Sequence, residues 1–253
     1  MYKIERQEKI LEYVNKEGRA SIAELSDLFQ VSKVTIRADI DELEVKNLVC
    51  KTHGGVLSKE IGIASEIPYE VKNQGNIKEK QRIAKEALKY IDKNDVIILD
   101  SGTTTYQLVD GLPEDITVIT TDILIAVGII QSKKNIRVLM PGGEIEKSVY
   151  TMEGIDAIRY FENIHADKLF LACDAVDFDF GVSDRSHQYA ITKQTMIEAA
   201  SQVILVTDSS KFYSKLVRKV CTLDKLDVVI VDKIEDSMRK KCEEANVSVV
   251  VAK

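Results

Sequence analysis

The chain has 253 residues, 45% of them hydrophobic and 30% charged, with a formal net charge of −6. This is the composition of an ordinary globular protein long enough for two domains, and any contact with nucleic acid must be local rather than a whole-surface effect. No apolar stretch approaches a membrane span, and no signal peptide precedes the charged N-terminus. The four scattered cysteines (Cys50, Cys173, Cys221, Cys242) lack metal-ligand or redox spacing, so a cytoplasmic protein without metal or cofactor is expected.

The segment from Ser21 to Val56 predicts two capped helices joined by a tight turn, then a hairpin. Ser21 and Glu24 have the spacing of a capping box, and Ile22, Leu25 and Leu28 recur on one helical face. Ser32 caps the next helix, whose apolar positions are Val34 or Ile36, Ile40 and Leu43. Ser32, Lys33, Thr35 and Arg37 are left on the outer side of its first turns. A recognition helix offers such residues to DNA. Arg37 suits a base edge because a guanidinium bonds two guanine acceptors at once, whereas Ser32 and Thr35 suit phosphate. Lys51, His53, Gly54 and Gly55 follow Leu48-Val49, and the two glycines permit the positive backbone angles of a hairpin turn, which makes a wing. Residues 1–60 hold 10 Lys and Arg against 11 Asp and Glu. A head so nearly neutral is expected to bind DNA in pairs, with its acids turned from the duplex.

Residues 58–75 lack periodicity and read as a linker between a head at 1–57 and a larger domain at 76–253. A helix is predicted from about Asn76 to Ile91. Seven short apolar runs then alternate with helical stretches: Val96–Leu99, Ile116–Thr120, Ile136–Met140, Lys168–Ala172, Val203–Thr207, Val228–Val231 and Val247–Val251. The fold class is α/β with a small α+β head, the larger domain being a mostly parallel sheet flanked by helices.

Ligands in such sheets sit beyond the carboxyl ends of the strands, and polar clusters follow five of the runs. Asp100-Ser101-Gly102-Thr103-Thr104-Thr105 opens a helix with hydroxyls and free amides, an anion cradle without the ending of a nucleotide P-loop. A smaller phosphate ester fits it. Thr120-Thr121-Asp122, Pro141-Gly142-Gly143-Glu144, Asp174-Ala175-Val176-Asp177 and Asp208-Ser209-Ser210-Lys211-Phe212 follow the others. Lys211 adds positive charge for a phosphate, and the carboxylates accept sugar hydroxyls.

The N-terminal pieces Glu5-Arg6-Gln7, Val31-Ser32, Thr35-Ile36-Arg37, Asp39, Leu43 and Thr52-His53-Gly54-Gly55 resemble the DeoR family of bacterial transcriptional repressors. Asp100–Thr105, Gly142-Gly143, Gly154, Ala166-Asp167-Lys168, Gly181 and Asp208–Phe212 extend the resemblance over almost the whole chain. Ala38 stands where that family usually has a second Arg, Asn47 and Ala175 where it usually has Gly, and Thr121-Asp122 where it often has Asn-Ser. The resemblance implies a winged helix-turn-helix head and a sensor domain similar in fold to ribose-5-phosphate isomerase. It further implies operator DNA and a phosphorylated sugar as partners, and a phosphate loop at Ser101, Gly102, Thr103, Thr104 and Thr105. Ligand-facing positions fall at Asp100, Thr121, Asp122, Gly142, Gly143, Asp174 and Lys211. Two heads must be held apart to read two half-sites, so a homodimer or homotetramer is expected.

The alternative is a sugar-phosphate isomerase fused to a DNA-binding head. Isomerisation needs an acid-base pair. Phe178 stands where the isomerase motif has Glu, and Ser186–Lys193 contains no carboxylate. A non-enzyme is therefore expected.

Overall fold

The computed structural model describes residues 2–46, 48–52, 54–58 and 68–253, which fall into two compact units, Met1–Gly75 and Asn76–Lys253. Asn47 and His53 lie outside the described residues.

In the first unit, α1 (Lys3–Glu17) leads into β1 (Arg19–Ser21), α2 (Ile22–Phe29) and α3 (Lys33–Val45). Strands β2 (Val49–Lys51) and β3 (Gly55–Ser58) follow. The three strands form an antiparallel sheet in the order β1-β3-β2. Ile10, Val14, Leu25, Ile36, Ile40, Leu43 and Val56 make the core. Two sequence expectations are corrected. Leu28 is exposed, because α2 buries only Ile22 and Leu25. Gly55 is not among the glycines with positive φ. A Cβ on Gly55 would lie 2.1 Å from the Ala20 carbonyl oxygen, so Gly55 is required by the close approach of β1, a strand that three residues are too few to announce. In the stretch read as a linker, Ser58 belongs to β3 and Tyr69–Gln74 forms a helix, α4.

The second unit opens with α5 (Ile77–Ala87), which buries Ile83, Ala84 and Ala87. Seven strands follow among the described residues: β4 (Val96–Leu99), β5 (Ile116–Ile119), β6 (Ile136–Leu139), β9 (Ala166–Leu171), β12 (Ala200–Val206), β14 (Val228–Val231) and β15 (Ser248–Val251). They pair in parallel in the order β15-β14-β12-β9-β4-β5-β6. Side chains alternate across the sheet. Ile98, Leu169, Leu171 and Leu205 enter one apolar layer, and Ile97, Leu99, Phe170 and Ile204 enter the other. Helices α6 (Thr103–Tyr106), α7 (Ile123–Ser132), α8 (Ile155–Glu162), α9 (His187–Ala199) and α10 (Asp236–Glu244) connect them. The strand order reverses between β4 and β9. This switch point is where an open parallel sheet has its crevice.

Five further strands escape the apolar-run reading. The hairpin β7 (Glu144–Glu146) and β8 (Thr151–Glu153) stands alone. Strands β10 (Ala175–Asp177), β11 (Gly181–Asp184) and β13 (Arg218–Cys221) form a second, antiparallel sheet.

Candidate functional site

The outer face of α3 is built by its cap and its clamp. Ser32 Oγ accepts the Thr35 amide at 3.2 Å and lies 2.9 Å from the Thr35 hydroxyl, and both residues of the Ser21–Glu24 capping box bond reciprocally on α2. Ile36 and Ile40 are fully buried, whereas Val34 is 72% exposed, so Ile36 is the inward position. Lys33 and Arg37 are exposed, and among the described residues Arg37 forms no ion pair. From below, Arg6 of α1 grips Asp39 of α3, with Nε 2.5 Å from Oδ2 and a second nitrogen donating to Oδ1 at 3.2 Å. Lys51 is tethered to α3, its ammonium to Asp41 and its amide to Glu44 at 3.0 Å. The acids of α3 thus have partners beneath and beside it, and its N-terminal basic face stays clear.

In the second unit the switch point is a network of buried polar groups. Asp100, just after β4, accepts the Ala172 amide at 3.0 Å, which ties it to the end of β9. Lys193 of α9 reaches the same place. Its ammonium lies 3.2 Å from Asp100 Oδ2 and 2.6 Å from Asp184 Oδ2, and it donates to the Ala172 carbonyl at 3.0 Å. Asp184 Oδ1 accepts the Asp174 amide at 3.0 Å. Burial drives the Asp100 carboxyl up to about 6, against the pull of Lys193. Burial also opposes charge on Lys193, but Asp100 and Asp184 outweigh it and hold the ammonium well above its ordinary range.

Beside this network, Ser101 donates to Asp122 Oδ2 at 2.9 Å and meets the Thr151 hydroxyl. Asp122 caps α7 through the Leu124 and Ile125 amides, and burial raises its carboxyl. The β7–β8 hairpin is pinned here: Ile123 donates to Tyr150 O and Met152 to Thr121 O, both at 2.9 Å. In the Thr103–Thr105 run, all three residues are buried, and the Thr105 hydroxyl donates to Gly102 O at 2.8 Å. Gly102 must lack a side chain, since a Cβ would stand 2.8 Å from that of Ala172.

The remaining strand-end residues are more dispersed. Gly142 and Gly143 are exposed, and the constraint on Gly143 is the hairpin itself: a Cβ would lie 2.3 Å from Glu153 O. Lys211 follows the Asp208 turn. Burial opposes charge on Asp208, but bonds from Ser210, the nearby Lys211 charge and the Asn76 amide at 2.8 Å hold it below its usual range. Asp177 has partners of its own. It caps a turn through the Phe180 and Asp179 amides at 2.7 and 3.0 Å and pairs with Lys215 at 3.4 Å.

The DeoR C terminal sensor domain matches residues 75–233, and the DeoR-like helix-turn-helix domain matches residues 6–61. The chain belongs to the DeoR family. It is a DNA-binding transcriptional regulator with a C-terminal sensor domain. It is 36% identical over 250 residues to the uncharacterized HTH-type transcriptional regulator YulB of Bacillus subtilis, covering 97% of this chain and 95% of that protein. It is 33% identical to a putative aga operon transcriptional repressor of Escherichia coli O157:H7, covering 90% and 86% of the two chains. GolR of Listeria innocua, another HTH-type regulator, is 30% identical over the full length of both. Among solved structures, the ribose 5-phosphate isomerase of Methanocaldococcus jannaschii aligns with 56% of this chain and 57% of its own, at 18% identity and a TM-score of 0.42.

Within this DeoR-family sensor domain, sequence reasoning missed Lys193, Asp184 and Thr151. Lys193 carried a readable signal. It shares an i, i+3 stripe with Ala190 and Met196, both buried, so a charged residue stands where α9 must face inward. Asp184 lies two residues outside the Ser186–Lys193 window read as free of carboxylates. No helix among the described residues is long and apolar enough to cross a membrane.

Proposed function

We propose that this DeoR-family protein represses a carbohydrate-utilisation operon, with operator affinity set by a phosphorylated sugar bound at the strand ends of the sensor domain. The observation that carries the reading is the buried network at the β4–β9 switch point, flanked by the buried hydroxyl-rich run Thr103–Thr105. It offers hydroxyls for phosphate at one side and carboxylates for sugar hydroxyls at the other. Ser32, Lys33, Thr35, Arg37, Lys51 and His53 form the DNA face, Arg37 reading a base. Asp100–Thr105, Thr121, Asp122, Gly142, Gly143, Asp174 and Lys211 surround the effector. The working form is a cytoplasmic homodimer or homotetramer, since two recognition helices must be held one DNA turn apart or a multiple of it.

The protein is not an isomerase in this reading. Proton abstraction needs a carboxylate free to meet the substrate, yet both oxygens of Asp184 and Oδ2 of Asp100 are engaged by protein groups, and Asp177 caps a turn.

The test is a thermal-shift screen of the purified protein against phosphorylated sugars, followed by titration of its selected genomic DNA with and without each stabilising compound. One phosphorylated sugar should weaken DNA binding by about 5–150-fold, the usual range of allosteric coupling. Stabilisation only by unphosphorylated compounds, or turnover of ribose 5-phosphate, overturns the reading.

A further inference from the structure

Arg185 ends the β11 connection, one residue before the Ser186 cap of α9. Its side chain is only 11% exposed. Among the described residues its buried Nε has no hydrogen-bond partner, and Asp174 Oδ2 stands 3.6 Å away. That distance lets the charges feel each other but is too long for a hydrogen bond. Buried N–H groups in folded proteins are nearly always bonded, so an unmet one beside a strand-end crevice calls for an acceptor oxygen beyond the described residues.

The neighbours define which oxygen. Lys193 is already shared by Asp100, Asp184 and the Ala172 carbonyl, so its charge is matched within the protein. Among the described residues Arg185 has only the loose pairing with Asp174. A guanidinium donates and never accepts, so it requires an acceptor. A carboxylate in this position would meet the negative charge of Asp174 and Asp184. A neutral carbonyl oxygen meets no such repulsion, and a hydroxyl on the adjoining carbon can donate to Asp174.

We propose that Arg185 and Asp174 read the end of the effector remote from its phosphate, Arg185 donating to a neutral carbonyl oxygen and Asp174 accepting from the neighbouring hydroxyl. The effector is then a sugar phosphate in its carbonyl form, selected against the alcohol and the acid of the same chain length. The inference rests on the phosphorylated-sugar reading above and deepens it.

Isothermal titration of the full-length protein with two series, each of a single chain length, tests this. One is dihydroxyacetone phosphate, glycerol 3-phosphate and 3-phosphoglycerate; the other is fructose 6-phosphate, glucitol 6-phosphate and 6-phosphogluconate. The carbonyl compound of the binding series should bind roughly tenfold tighter than its alcohol, about the worth of one hydrogen bond in a buried site. Arg185→Gln should bring that ratio close to one, and Arg185→Lys, which keeps charge but not the fork, should fall between. Equal wild-type affinity for carbonyl and alcohol overturns the proposal, as does tightest binding of the acid. So does an Arg185→Gln variant that weakens every member alike, the mark of a merely structural arginine. A protein that binds no member of either series overturns the phosphorylated-sugar reading as well.

Discussion

Lys193 of α9 and Asp184 of β11 meet with Nζ and Oδ2 2.6 Å apart, and the same ammonium lies 3.2 Å from Asp100 at the end of β4. One buried cation therefore joins the second sheet to the switch point of the first. Removing it strands two carboxylates that are 2% exposed each. Breaking a buried pair from one side typically costs about 3–5 kcal/mol. Lys193→Met should lower the unfolding free energy of the sensor domain by that amount in urea titration, and adding Asp184→Asn should recover part of it. A wild-type midpoint for Lys193→Met alone would show that the ammonium holds nothing together.

Asp100 gives the same network a pH dependence. Burial raises its carboxyl from 3.8 to about 6, with Asp184 adding to the rise and Lys193 opposing it. A raised folded-state pKa means that the protonated form favours the fold. This contribution is fully present below about 4 and is lost as pH rises through about 6. Asp100→Asn does not titrate, so the melting temperature of the variant minus that of the wild type should increase between pH 5 and pH 7. A flat or falling difference across that window contradicts the assignment.

The seven strands of the parallel sheet were legible because each is a short run of Val, Ile and Leu covered on both faces. Ile97 and Ile98 are both fully buried, on opposite sides. Strands β10, β11 and β13 were not, because Ala175–Asp177 and Arg218–Cys221 are too short or too polar to carry a period. The same holds for the site. Asp100 and Asp122 announce themselves by following strands, whereas Lys193 and Asp184 arrive from α9 and β11, and no local pattern says that these fold over the β4–β9 crevice. In the head, the Ser21–Glu24 capping box was readable as spacing, but the long-range clamp from Arg6 to Asp39 was not.

That clamp sets α3 against α1. Asp39 is 1% exposed, and Arg6 supplies both of its side-chain bonds described above. Arg6→Ala should destabilise the head by about 3–5 kcal/mol through the unpaired buried carboxylate. Arg6→Ala with Asp39→Leu should regain much of this, because an apolar pair of similar volume avoids the desolvation penalty. Proteolysis of the head by trypsin at native conditions reads the difference. Equal cleavage rates for the wild type and Arg6→Ala would remove the clamp from the account.

Arg37, on the same helix, tests function rather than stability. It is exposed and outside any ion pair among the described residues, so Arg37→Ala should leave urea unfolding within about 0.5 kcal/mol of the wild type. Its loss should cost about 1–3 kcal/mol of specific DNA binding and relax the preference at one base pair, whereas Lys33→Ala should weaken all sequences nearly uniformly. Anisotropy titrations with the selected site and its single-base variants separate the two. A uniform loss for Arg37→Ala would make it a phosphate contact instead.

Gly102 and Ala172 make the final case, because two loops at the switch point fit only if one lacks a side chain. A Cβ at 102 would stand 2.8 Å from that of Ala172, well inside contact distance, and both belong to backbone that cannot swing aside. Gly102→Ala should therefore displace the Ser101–Thr104 run and cost about 1–3 kcal/mol by overpacking. Stabilisation of the protein by the proposed phosphorylated effector should fall with it, since the Thr103 and Thr104 hydroxyls move. Ala172→Gly removes the opposing methyl, and the double variant should recover both the unfolding midpoint and the effector-induced thermal shift. Recovery of stability without recovery of the shift would separate the packing at this junction from ligand binding and place the phosphate elsewhere on the rim.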